Sequence, residues 1–217
     1  GLLTTITNKH TPATVEASIK KVWDDADNQD GIRPNSIEVL LSDGTEVTLN
    51  EANNWMATVT GLPKYQDGVE IEYTWTEVTV PAGYSLTSTS VEGTVTTLTN
   101  SYEPVMTSAT VKKVWDDADN NDGKRPESLD VTLSNGTKVT LNEANNWTVT
   151  VNNLPKYADG EEIVYSWMEG DMPKGYTLTD VSVDGTITTL TNSMAPEKTS
   201  ISGSKTWEDN NDKDGKR

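Results

Sequence analysis

KVWDDADNQDGIRP, which begins at Lys21, returns as KVWDDADNNDGKRP from Lys113. Other stretches keep the same spacing. LNEANNW ends at Trp55 and at Trp147, LPKY starts at Leu62 and Leu154, and LTNS starts at Leu98 and Leu190. Each pair is offset by 92 residues, without insertion or deletion. The ends fit the same ruler: Thr5 to Asn8 lies 92 residues before Thr97 to Asn100, and Lys205 to Trp207 lies 92 after Lys113 to Trp115. The chain therefore reads as the tail of one unit, two whole units and the head of a fourth. A period this long is too great for one turn of a solenoid and suits an array of small domains.

The expected divisions are residues 1–10 as the final strand of a preceding repeat, 13–103 and 105–195 as complete repeats, and 198–217 as the first strand and loop of a following one. Pro12, Pro104 and Pro196 mark the seams. Proline stiffens φ and carries no amide hydrogen, which suits short, semi-rigid joints. The ends read as cuts through further units, so the lack of a leader says nothing about location.

Composition narrows the possibilities. Of 217 residues only 33% are hydrophobic, and the chain has seven Trp, seven Tyr and no Phe. That suffices for thin cores, and no run of about 18 apolar residues exists to span a membrane. A net charge of -17 opposes nucleic-acid binding. With no Cys and a single His, His10, the chain has no disulfide, thiolate nucleophile or Cys-ligated zinc, and most triads are excluded. His10, in a linker, reads as a bystander. No cofactor and no metal is implied.

Within each unit the pattern is β. Ser36 to Leu41, Glu46 to Leu49, Val69 to Trp75 and Thr94 to Tyr102 are rich in β-branched residues and largely alternate. Asp43-Gly44 and Asn135-Gly136 are hairpin signals. About seven short strands per unit predict an all-β chain of tandem immunoglobulin-like antiparallel β-sandwiches.

Alternation also exposes an anomaly. Ile19, Lys21 and Trp23 share a strand face, as do Val111, Lys113 and Trp115, and a Lys sits where the core should be. Likewise Asn100 shares a face with Leu98, Asn192 with Leu190, Glu77 with Trp75, and Glu169 with Trp167. Each unit thus points one Lys, one Glu and one Asn inward, and each would be costly to bury alone. One reading is a buried Lys–Glu ion pair with an Asn hydrogen bond, although such pairs barely repay their desolvation. The other is chemical. A lysine in an apolar core tends to lose its proton and become nucleophilic, and a buried carboxyl tends to hold one. Attack of the amine on the Asn amide would expel ammonia and leave a Lys–Asn isopeptide bond.

These motifs, with the Pro81-Ala82-Gly83-Tyr84 and Pro173-Lys174-Gly175-Tyr176 turns, resemble the Cna B-type repeats of the Gram-positive collagen-binding adhesin over essentially the whole chain. The resemblance implies an inverse immunoglobulin-like sandwich. It also implies a cross-link between first and last strands, Lys21 to Asn100 and Lys113 to Asn192, with Glu77 and Glu169 as catalytic residues. Asn8 and Lys205 would be orphan cross-link residues of incomplete repeats, not joined to each other, on end strands that fray.

Two weaker signals remain. The acidic loop from Asp24 to Gly31 departs from EF-hand spacing and reads first as a solvated turn, with Arg33 and Arg125 available to its carboxylates, and second as a calcium site of another type. The sequons at Asn135 and Asn146 read as turn chemistry and chance. The leading functional expectation is a structural stalk segment of a bacterial surface adhesin or pilus-like fibre, extracellular and anchored to the cell wall of a Gram-positive bacterium. It would not be a turnover enzyme. Its partners would be neighbouring repeats of the same chain and, through other domains, host extracellular matrix. The alternative is a binding module whose repeats hold a host protein or glycan.

Overall fold

The structure is a computed structural model that describes every residue except Asp209 and Arg217. It divides into two compact units: Gly1–Thr107 with Asn153–Val164, and Ser108–Asn152 with the described part of 165–217.

The first repeat holds nine strands: β1 Thr14–Asp24, β2 Ser36–Leu41, β3 Glu46–Asn50, β4 Met56–Pro63, β5 Tyr65–Gln66, β6 Val69–Glu70, β7 Trp75–Glu77, β8 Ser85–Glu92 and β9 Val95–Ser101. They form a four-stranded sheet ordered β4-β1-β9-β8, a three-stranded sheet ordered β3-β2-β7, and the small hairpin β5-β6. The second repeat supplies β10 Met106–Asp116, β11 Ser128–Leu133, β12 Lys138–Asn142, β13 Thr148–Pro155, β14 Tyr157–Ala158, β15 Glu161–Glu162, β16 Trp167–Glu169, β17 Thr177–Asp184 and β18 Ile187–Ser193. Its sheets are ordered β13-β10-β18-β17 and β12-β11-β16, with the hairpin β14-β15.

The core of the first repeat lies between its two main sheets. Ala17, Ile19, Leu62 and Leu98 from one meet Ile37, Val39, Leu41, Leu49 and Trp75 from the other. Each fully buried Ile or Leu contributes about 1.5–3 kcal/mol. Along β1 the period of two is visible directly: Ile19 and Lys21 are buried while Lys20 between them is exposed.

Most pairings are antiparallel, but the first and last strands of each repeat run parallel. Lys21 stands beside Leu98 and Trp23 beside Asn100 in β1–β9; Lys113 stands beside Leu190 and Trp115 beside Asn192 in β10–β18. A parallel neighbour needs a long crossover, and here that crossover is nearly the whole repeat.

The segment expected as one strand, Val69 to Trp75, is broken into β6 and β7, with no strand over 71–74. The break follows its partners. Ile71 N–H donates to Lys64 O at 2.9 Å, on the hairpin side, whereas Ser42 N–H donates to Thr74 O at 2.9 Å, on the sheet side. Two different neighbours cannot continue one ladder. The hairpin signals hold: Asp43 Oδ1 and Asn135 Oδ1 each accept the N–H two residues on, at 2.9 Å, and Gly44 and Gly136 take φ of 93° and 91°. Residues 1–13 and 194–208 carry no strand, and 1–13 are exposed throughout. An isolated strand segment has no ladder to hold it. Of the expected end repeat at 198–217, Asp209 and Arg217 lie outside the described residues.

Candidate functional site

β1 and β9 are the two central strands of the four-stranded sheet, and β7 is an edge of the facing one. Lys21 and Asn100 therefore project from adjacent strands into the core, and Glu77 reaches toward them from the opposite sheet. Lys21 is 3% exposed, Asn100 is fully buried, and the Glu77 side chain is 2% exposed. The Lys21 Nζ lies 2.9 Å from Glu77 Oε1, outside hydrogen-bonding direction. Asn100 Nδ2 donates to the same oxygen at 2.9 Å.

The second repeat brings the same three residues together. Lys113 Nζ donates to Glu169 Oε1 at 2.6 Å and to Leu190 O at 3.1 Å. Asn192 Nδ2 donates to Glu169 Oε2 at 3.0 Å and lies 3.4 Å from Met172 Sδ. In both copies burial pushes the lysine pKa down; the glutamate opposes this and the depression remains. All six sequence-predicted residues of the complete repeats thus meet in two clusters. In the third partial copy, Lys205 Nζ lies 3.4 Å from the Trp207 ring centroid. Asn8 lies in the exposed, strandless N-terminal stretch.

A second buried polar cluster was only partly anticipated. Asp25 is 2% exposed and receives Arg33 through Nε at 2.9 Å and Nη2 at 2.6 Å, and the Tyr84 hydroxyl at 2.7 Å. Asp117, Arg125 and Tyr176 repeat this at 2.9, 2.6 and 2.7 Å. Burial pushes the Asp25 carboxyl up, but Arg33, Tyr84 and the Asn28 N–H outweigh it and leave it below the usual range. Arg125, against an opposing effect of burial and with help from Tyr176 and the Asn120 N–H, holds Asp117 at about 2. Burial and Asp117 push Tyr176 up to about 12.

These locks brace an awkward backbone. Ala26, Asp27 and Asn28 are consecutively left-handed, at φ of 50°, 55° and 61°, as are Ala118, Asp119 and Asn120. Such residues cost about 1–2 kcal/mol each. The Asn28 side chain accepts the Arg33 N–H at 2.8 Å, and Asp25 accepts the Asn28 N–H at 3.1 Å. The acidic loop is thus an internally paired turn. Among the described residues, no group of three or more His, Asp or Glu is placed to hold a metal. The Arg–Asp pairing was legible in the sequence; the Tyr was not, although the repetition of both Asp-Asp and Pro-x-Gly-Tyr in the two copies marked it.

Two facing sheets per repeat, with a Lys, a Glu and an Asn buried between them, define a tandem of β-sandwich repeats with a common internal site. The chain belongs to the Cna protein B-type domain family, which it matches over residues 17–101 and 109–193. It is 45% identical over 223 aligned residues to a collagen adhesin of Staphylococcus aureus, an alignment that covers 99% of the chain but 18% of that adhesin. Its fold is similar to the crystal structure of two B repeat units of the collagen-binding protein of Staphylococcus aureus, with a TM-score of 0.72 and 41% identity. That match covers 95% of this chain and 56% of the other. A single B repeat unit of the same protein matches at 39% identity with a TM-score of 0.40, covering 85% of this chain and all of that one.

Proposed function

We propose that the chain is a stalk or spacer segment of a surface adhesin or pilus-like fibre, outside a Gram-positive cell and anchored to its wall. Each complete repeat is locked by a self-formed isopeptide bond, Lys21 to Asn100 and Lys113 to Asn192. The observation that carries this reading is the convergence, twice, of a buried Lys, Glu and Asn from the first, middle and last strands. As an ion pair alone the cluster would offer little stability.

The chemistry balances with no outside reagent. The lysine ammonium passes a proton to the glutamate carboxylate, leaving a neutral amine beside a carboxylic acid. The amine nitrogen adds to Cγ of the asparagine. The C–N bond to Nδ2 then breaks, and Nδ2 leaves as ammonia after receiving a proton through the carboxyl. The attacking nitrogen gives up a second proton to the carboxylate, which ends protonated, and one lysine N–H remains as the amide hydrogen. Asn100 and Asn192 turn Nδ2, the departing nitrogen, toward the glutamate, as this protonation requires. The event happens once per repeat, so Glu77 and Glu169 are catalytic without turnover.

A bond between the two central strands of one sheet closes a loop of most of the repeat and resists both pulling and proteolysis. Contact with host matrix, which the relative's name as a collagen adhesin suggests, belongs in this reading to other domains. Intact mass tests it: the folded chain should weigh less than its sequence by two molecules of ammonia. A mass equal to the sequence mass overturns it.

A further inference from the structure

Both copies of the site share an unexplained feature. Trp23 Nε1 and Asn100 Oδ1 are buried without hydrogen-bond partners among the described residues, and so are Trp115 Nε1 and Asn192 Oδ1. Buried polar groups are nearly always paired, and an indole nitrogen can only donate. A lone donor and a lone acceptor recurring together call for a reason.

They are also neighbours. Trp23 is the register partner of Asn100 in the parallel β1–β9 pairing, and Trp115 that of Asn192 in β10–β18. Each ring also stands beside the amine: Lys21 Nζ is 5.1 Å from the Trp23 centroid, and Lys113 Nζ is 4.9 Å from that of Trp115. The glutamate does not serve the carbonyl oxygen, because in both copies Nδ2 is the amide atom turned toward it. The other two orphan indoles sit elsewhere. Trp75 lines a cavity with Val15, Ala17 and Thr96, the last two being four residues back along β1 and β9 from Lys21 and Asn100; Trp167 is its counterpart in the second repeat.

We propose that the indole N–H of Trp23 and of Trp115 donates a hydrogen bond to the asparagine carbonyl oxygen as negative charge builds on it during cross-linking. The proposal rests on the isopeptide reading above. As the lysine nitrogen adds to Cγ, the carbonyl π pair moves onto Oδ1; when the C–N bond to Nδ2 breaks, the pair returns. A donor held beside the developing oxyanion in a buried site lowers that barrier. A neutral indole does this without adding charge to the core. The donor stays unpaired in the ground state and is used as the oxyanion forms, so its interaction counts toward rate and not toward resting stability.

The test is a time course of intact mass during cell-free synthesis of the full chain, with peptide mapping to assign each cross-link. In one form 3-benzothienylalanine replaces Trp115, keeping the ring shape but removing the N–H. The untouched first repeat serves as an internal clock. The second repeat should then cross-link slower by about tenfold or more, with an unchanged pH profile. A rate equal to the unsubstituted chain overturns the proposal. So does slowing in W115F that the benzothienyl ring restores, since the ring then only fills space. A slowed rate with a shifted pH profile also overturns it, since water has then entered the core. The same substitution at Trp23 gives an independent reading if the second repeat fails to fold. If the unsubstituted chain shows no ammonia loss, the isopeptide reading itself fails and this proposal falls with it.

Discussion

The two complete repeats place the same three side chains on equivalent strands, yet they use the carboxylate differently. In the first, Lys21 and Asn100 both approach Glu77 Oε1, and Oε2 is buried without a partner. In the second, Glu169 divides its oxygens, Oε1 to Lys113 and Oε2 to Asn192, and the amine also reaches Leu190 O. The position of Met172, beside Asn192, is held by Val80 in the first repeat. The backbone therefore sets which residues meet, while close packing around the carboxylate sets how protons could be shared. A bridging carboxylate can take a proton on one oxygen and deliver one from the other, so the second repeat is expected to cross-link faster.

The largest effect should come from removing both carboxylates. E77A with E169A is expected to abolish both ammonia losses, and each repeat should lose about 4 kcal/mol of loop-closure stabilisation. Either single variant should lose only its own cross-link, which mass mapping would check. Retention of both deficits in the double variant would mean the catalytic residue lies elsewhere. The expected loss is two ammonia molecules and not three, because Asn8 and Lys205 should remain unjoined.

Next in size are R33A and R125A, each of which strands a buried carboxylate. About 3 kcal/mol of destabilisation is expected from each, read by denaturant unfolding. Unequal costs would show that the two loops are not equivalent.

A smaller effect is the acid response. The folded pKa of Asp117 is depressed to about 2, so its contribution is complete above the ordinary carboxylate value of 3.8 and is lost as pH falls through about 2. D117N should remove this part of the pH dependence of unfolding in the second repeat, leaving that of the first unchanged. The smallest is M172V, which gives the second site the first repeat's residue. A stability change of under about 1 kcal/mol and a cross-linking rate closer to that of the first repeat are expected, and an unchanged rate would remove Met172 from the account.

Much of this was legible in the sequence because strand alternation is a local property. Lys21 falls between Ile19 and Trp23 whatever the strand pairs with, and so its inward direction follows from spacing alone; the same holds for Asn100 beside Leu98. The 92-residue period likewise needed only comparison of the chain with itself. The break at 71–74 was not legible, because Ile71 and Thr74 have the residues of a strand and differ only in which neighbours they meet.

By itself, then, the sequence determined a repeated β-sandwich with one Lys, one Glu and one Asn facing each core. Tertiary structure alone decided the parallel union of first and last strands, the left-handed backbone of the acidic turn and the part of Tyr84 in bracing it, and the sharing of the carboxylate oxygens. The physical reason is range. Side-chain direction is set by a residue's own backbone, whereas pairing partners and hydrogen-bond geometry depend on groups far along the chain, such as Lys21 and Asn100, that only folding brings within reach.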